Sequence, residues 1–346
     1  FFLTFTGNPD WPEIKDNLLP GQNVYDNAPL AVRVFYAKMT LLLRDLMDGA
    51  LGKPEAWAYH VEFQKRGMPH LHLLLRTDVR ITDPEEFDRW ITAEIAEMPS
   101  THDADYALKT RYIELVKRHM VHGPCEQRKS NEQTLACRAD RGKQGPKGKC
   151  AKYFPKDFNE KSSLTDQGYA QPRRPDNGRE IRFGNGKVAT NQHIVAHNPY
   201  LVMRMVSHVN LEYINAGQHV MIYIYKYINK GNDQAVLKLR ADLFAKAEQS
   251  TEKDKVVDID ECVEFQQLRY MTAAEAAYRI LGFKLADMSH TVFELPVHEE
   301  GSEYMTIIED DEEGTLDRVK QRRNSSQLTA YFALCVVDEF ARTMRY

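Results

Sequence analysis

Two histidines separated by one residue, His70 and His72 in Pro69-His70-Leu71-His72, can hold a metal ion between them if that segment is a strand. Side chains alternate faces along a strand, so both imidazoles project from one side while Leu71 and Leu73 project from the other. The preceding run, residues 56–63, also has strand composition and joins residues 70–76 through Arg66-Gly67-Met68-Pro69, a hairpin signature. Across such a hairpin His60, Glu62 and Gln64 share a face that can lie beside the histidine pair. Glu62 is the preferred third ligand and Gln64 its rival. Two imidazoles and a carboxylate with open positions suit Mn²⁺, Fe²⁺ or Zn²⁺ better than Mg²⁺ by ligand chemistry alone. An ion held there would polarise a phosphoryl oxygen and absorb charge developing in a transition state.

A nucleophile for that chemistry stands in Tyr223-Ile224-Tyr225-Lys226-Tyr227-Ile228-Asn229-Lys230. On a helix Tyr223 and Tyr227 lie one turn apart, about 6 Å along the axis, on one face. Each is followed at the third position by a lysine, Lys226 and Lys230. The bland alternative is an amphipathic helix whose tyrosines sit half in the core. A phenol with a pKa near 10 needs a cation or base beside it to attack at neutral pH, and Lys226, Lys230 or the metal could serve. Attack on a phosphodiester would leave a 5′-phosphotyrosine and free a 3′-hydroxyl, keeping the bond energy for transfer without ATP.

A third cluster is His122, Cys125, Cys137 and Cys150, in a stretch rich in Gly and basic residues. Four N and S ligands would close a structural zinc site, with His119 as an alternative to His122, and would staple a segment with no apolar pattern of its own. Unligated buried cysteines are the competing reading. Within residues 138–156 seven basic residues face one acidic residue, although the whole chain carries a formal charge of −4. Arg138, Arg141 and Lys143 there, with Arg173 and Arg174 downstream, are candidates for contacts to a phosphate backbone. A solvated loop would show the same charge pattern.

The elements that must position these groups can be read coarsely. Residues 1–6 read as a strand ending at Gly7-Asn8-Pro9, residues 28–47 as a helix, and residues 83–97 and 105–120 as helices. Residues 122–191 lose periodicity. A helix follows Asn198-Pro199, a strand covers 208–214 and a helix 218–230. The last third reads as mixed, with helices at 261–270, 273–281 and from 326, and a strand at 291–297. At 346 residues more than one unit is expected. No apolar run approaches the ~18 residues of a membrane span, no GxxxxGK[ST] loop occurs, and five scattered cysteines fit a reducing compartment better than a disulfide scaffold. The chain opens inside a strand pattern without Met and closes on a helical one, so it is expected to be a piece of something longer.

Together these segments resemble the Rep domain, of the HUH endonuclease type, of Helitron rolling-circle transposases. Phe2-Leu3-Thr4-Phe5-Thr6-Gly7-Asn8-Pro9-Asp10-Trp11-Pro12-Glu13-Ile14 is similar to that family's first motif, and residues 62–72 to its metal-binding hairpin. Met120-Val121-His122-Gly123-Pro124-Cys125 and residues 148–156 are similar to its Cys/His insertion, and the doubled-tyrosine helix running into Gly231-Asn232-Asp233 to its third motif. Residues 269–279 resemble the segment downstream. Two departures are Glu126, where the family has Gly, and a longer Cys125 to Cys137 spacing.

The resemblance implies an α+β fold: an HUH-type antiparallel sheet flanked by helices, a Cys/His-rich insertion and a mixed C-terminal region. Its expected parts are residues 1–121 and 192–240 as the two pieces of the core, 122–191 as the basic insertion, and 241–346 as an accessory region. It implies Mg²⁺ or Mn²⁺ at the active site beside the structural Zn²⁺, single-stranded transposon-end and target DNA as substrates, and a superfamily 1 helicase domain following this one. It also implies nuclear localisation and no membrane. Competing expectations are a plasmid or viral replication initiator of the same chemistry, and an inactive relic that only binds single strands.

Overall fold

The computed structural model describes residues 1–63, 68–81, 83–127, 137, 150–164, 170–214, 271–290, 297 and 326–344. They fall into two compact units, Phe1–His290 and Thr291–Tyr346. In chain order the first unit holds β1 (Phe2–Thr6), α1 (Pro12–Lys15), α2 (Ala28–Met47), β2 (Pro54–Phe63), β3 (Pro69–Thr77), α3 (Pro84–Phe87) and α4 (Tyr106–His119). Next come four two-residue strands, β4 (Ser163–Leu164), β5 (Ala170–Gln171), β6 (Ile181–Arg182) and β7 (Val188–Ala189), then α5 (Pro199–Met205), β8 (Val209–Glu212), α6 (Ala273–Ile280) and β9 (Ala286–Met288). The second unit has α7 (Gln327–Val337) and α8 (Glu339–Thr343), capped by the side chains of Ser326 and Asp338.

Five strands form an antiparallel sheet in the order β8-β1-β3-β2-β9, with the expected hairpin, β2 and β3, at its heart. One face of the sheet is apolar. Leu3, Phe5, Tyr59, Val61, Leu71, Leu73, Leu75, Val209 and Leu211 are all buried there, one from every second position. Against them packs α2, whose buried stripe Ala31, Val32, Phe35, Met39, Leu42 and Leu46 keeps the helical period. Asn27 caps α2 by accepting from the Leu30 N–H at 3.3 Å, and Gly49 at φ +98° ends it in a conformation that suits glycine. Helix α6 completes the layer: Tyr278 is fully buried and packs edge-on to Tyr36 and Phe63.

A second, smaller core lies on α4. Ile95, Leu115, Val116, Met120, Ile181, Ala189, Ile194 and Val202 bury one another, so the later part of the segment expected to lack periodicity shares an apolar core with α4 and α5. The helix expected over 83–97 stops at Phe87. Beyond it Ile91, Ala93 and Ile95 are buried at alternate positions and Thr92 forms an antiparallel bridge with His197, so period-two burial overrides the helical reading. Among the described residues no helix is long and apolar enough to cross a membrane.

Candidate functional site

One end of the sheet face opposite α2 is polar, and register lines its side chains there into two rows. Thr6 pairs with His70 and His70 with Glu62 across β1, β3 and β2. Two residues on, Asn210 pairs with Thr4, Thr4 with His72 and His72 with His60. A one-residue slip of β3 would exchange His70 and His72 for Leu71 and Leu73, and the buried leucines forbid it.

Within the first row the Thr6 hydroxyl lies 2.7 Å from His70 Nδ1. In the second, the Thr4 hydroxyl lies 3.5 Å from His72 Nδ1, while His72 Nε2 lies 3.3 Å from a Glu62 carboxylate oxygen. The two imidazoles meet edge to face with centroids 4.8 Å apart, and Phe2 stacks on His72 at 5.9 Å. Burial, reinforced by His72 and His208, pushes His70 down to about 3, so it is a neutral imidazole with a lone pair to give. A hydrogen-bonding group behind one ring nitrogen fixes an imidazole's orientation and leaves the other nitrogen to face a ligand. Donor chemistry of two imidazoles and one carboxylate fits a divalent ion of the Mn²⁺ class.

Residues of the first motif carry the edge strand of this face. Asn8 Nδ2 donates to the Val206 carbonyl at 2.8 Å and Trp11 Nε1 to the Met205 carbonyl at 3.0 Å, which fixes the turn from α5 into β8. The Thr6 N–H then donates to the His208 carbonyl at 3.1 Å, extending the ladder so that His208 joins the Thr6–His70–Glu62 row. His208 Nδ1 donates to the His119 carbonyl at 2.8 Å, which leaves Nε2 as its lone-pair nitrogen. Sequence reasoning missed His208. Its signal was the alternation His208, Asn210, Glu212 against Val209 and Leu211.

The Cys/His cluster is the tightest donor set among the described residues. Donor atoms of His122, Cys125, Cys137 and Cys150 all lie within 4.8 Å of one another, with Cys150 Sγ 3.3 Å from His122 Nε2. Burial and the neighbouring Cys125 thiol push Cys137 up to about 12, so thiols this crowded need a cation before they can ionise together. Three sulfurs and an imidazole fit a closed zinc site. The His122 N–H donates to the His193 carbonyl at 2.8 Å, and a Glu126 carboxylate oxygen lies 2.7 Å from His193 Nε2. Glu126, the departure from the family pattern, thus braces the ligand segment. His119 lies outside the set.

Of the basic candidates, Arg173 is exposed and pairs with Glu94 at 2.5 Å. Arg174 corrects an expectation: it is buried, and its Nη1 donates to the Asn191 and Ile194 carbonyls at 2.7 and 2.6 Å, so it holds the fold together and is not free for a phosphate. Gln64, Arg138, Arg141, Lys143, Tyr223, Lys226, Tyr227 and Lys230 lie outside the described residues.

No curated protein matches the chain. Residues 1–75, which contain Glu62, His70, His72 and the first motif, match the family model described as the Helitron helicase-like domain at N-terminus, so this part of the chain is similar to the N-terminal part of Helitron helicase-like proteins.

Proposed function

We propose that this chain is the strand-cutting domain of a Helitron-type transposase, an HUH endonuclease acting on single-stranded transposon-end DNA. The observation that carries the reading is the register that brings His70, His72 and Glu62 onto one polar face at the centre of an antiparallel sheet. The match of the same residues to the Helitron helicase-like domain supports it. A divalent ion of the Mg²⁺ or Mn²⁺ kind supplies charge stabilisation to the scissile phosphate when bound. His70, His72 and Glu62 would hold it, with Gln64 as a further donor, and Thr6 and Thr4 orient the imidazoles.

Tyr223 or Tyr227 is the nucleophile. Its phenolate oxygen forms a bond to phosphorus, the P–O3′ bond breaks, and the departing oxygen takes up a proton as a 3′-hydroxyl. A target-strand 3′-hydroxyl then attacks the phosphotyrosine and the phenol is released, so one phosphodiester replaces another with no net oxidation or external energy. Two tyrosines let two ends be held in turn, and Lys226 and Lys230 would favour the phenolate. A helicase domain after this one and a nuclear site of action belong to the same reading.

The test is incubation with a single-stranded transposon-end oligonucleotide and Mn²⁺, followed by denaturing electrophoresis for a covalent protein–5′-DNA adduct. Tyr223→Phe with Tyr227→Phe is expected to abolish the adduct, as is His70→Ala with His72→Ala. Adduct formation that survives the double tyrosine variant would overturn the assignment.

A further inference from the structure

Tyr153 stands out among the aromatics. It is 73% exposed, and at φ +56° it adopts a left-handed conformation that glycine or asparagine would hold with less steric strain. The other non-glycine residue at positive φ among the described residues, Val206, ends a helix, where that conformation is common. Tyr153 has no helix to end. A strained residue kept in place by its surroundings is a pointer to a function.

The surroundings hold it from both sides. Before it, Cys150 belongs to the Cys/His cluster, its Sγ accepts from the Lys152 N–H at 3.4 Å, and its carbonyl accepts from the Tyr153 N–H at 2.9 Å. After it, Phe154 stacks on the His122 ring at 4.4 Å, and the Lys156 N–H donates to the Gln192 carbonyl at 2.9 Å. Lys156 Nζ sits between the two aromatics, 5.6 Å from the Tyr153 ring centre and 5.3 Å from that of Phe154. One ring is therefore turned inward onto a cluster ligand and the other outward into solvent. Lys152, on the other side of Tyr153, is exposed.

An outward aromatic ring, rigidly backed and flanked by two cations, is the arrangement that binds a nucleobase and its neighbouring phosphates. We propose that Tyr153 stacks on a base of single-stranded DNA, with Lys152 and Lys156 taking the adjoining phosphates, so that the turn after Cys150 is a docking point for the strand. The choice of DNA as occupant rests on the function proposed above.

The experiment is fluorescence anisotropy of a labelled oligo-dT with the full, zinc-loaded chain, comparing wild type with Tyr153→Ala, Tyr153→Asn and Tyr153→Trp. Stacking of one base on an aromatic corresponds to about 5- to 150-fold in affinity. Tyr153→Ala and Tyr153→Asn are expected to bind at least about fivefold more weakly, and Tyr153→Trp to bind like wild type. Tyr153→Asn is expected also to melt at or above the wild-type temperature, because asparagine tolerates the left-handed conformation. Zinc content and melting temperature for each variant separate lost binding from lost folding. If wild type binds but Tyr153→Asn stays within about fivefold of it, the stacking role is overturned and the nickase reading stands. If wild type itself does not bind oligo-dT, both fall.

Discussion

Stripping the metal from the Cys/His cluster should open that cluster and leave the rest of the fold standing. The ligands Cys125, Cys137 and Cys150 are twelve and thirteen residues apart, so holding them together closes two loops. Each closure of that length costs about 3 kcal/mol, together about 6 kcal/mol. Without an ion, the contacts among the described residues that tie the loop ends to one another are the Ala151 N–H to Cys137 carbonyl bond at 2.7 Å and the stack of Phe154 on His122. At about 1 kcal/mol each they fall well short. Zinc on one imidazole and three thiolates contributes on the order of 10–16 kcal/mol, which exceeds the closure cost. Neither apolar core contains a cluster ligand, so the sheet and α4 do not depend on it. The assay is one zinc per chain by elemental analysis, then alkylation with and without a chelator, read peptide by peptide by mass spectrometry. Cys125, Cys137 and Cys150 are expected to be protected with metal and labelled after its removal, while circular dichroism barely changes. Purified protein without stoichiometric zinc, or three thiols protected equally before and after chelation, would refute the reasoning.

Two further perturbations probe the second core. His197 is fully buried, with Nε2 2.7 Å from the Tyr112 hydroxyl and Nδ1 2.7 Å from the Val195 carbonyl, and burial holds it down to about 4. Because its folded value is depressed, the unfolded chain takes up the proton first, and stability should fall as pH drops from about 6.5 toward 4, by up to about 3 kcal/mol. Urea midpoints at pH 7 and pH 5 should converge in His197→Gln relative to wild type, and equal shifts in both proteins would exclude His197 as the titrating group. Arg174→Met removes charged hydrogen bonds to the Asn191 and Ile194 carbonyls and should cost on the order of 3 kcal/mol, against about 1 kcal/mol for Arg173→Ala at a half-exposed pair. Thermal melts decide it: an Arg174→Met protein that melts like wild type yet loses single-strand affinity would return Arg174 to the DNA surface.

The central hairpin was legible because its signals agree. Leu71, Leu73 and Leu75 alternate with His70, His72 and Leu74, the turn residues stand between two runs of similar length, and the observed register needs no correction over the site. Helices α2 and α4 were legible for the same reason, each keeping a buried stripe at helical spacing. Residues 91–95 were misread because Ile-Thr-Ala-Glu-Ile has both a helical and a strand period over so short a span. What decides between them is Thr92 meeting His197, a partner more than a hundred residues away that local pattern cannot see. Likewise β9 is three residues long and owes its pairing to the open edge of β2.

Legibility of the site divides along the same line. A histidine pair on one strand declares itself by spacing, and bringing His70 and His72 to one face needed only the alternation rule. Ligands gathered from afar do not. Cys125, Cys137 and Cys150 keep no regular spacing, yet their sulfur atoms and the His122 ring converge in a set that could hold a metal, braced by contacts of Glu126 with His193 and of Phe154 with His122 that no local pattern announces. Arg174 shows the opposite failure. Beside Arg173 it reads as half of a basic pair, but a strand-like backbone turns neighbours to opposite sides, one to solvent and Glu94, the other inward to the Asn191 and Ile194 carbonyls. Charge in a sequence marks where a cation is, and only the carbonyls waiting nearby decide whether it serves a ligand or the fold.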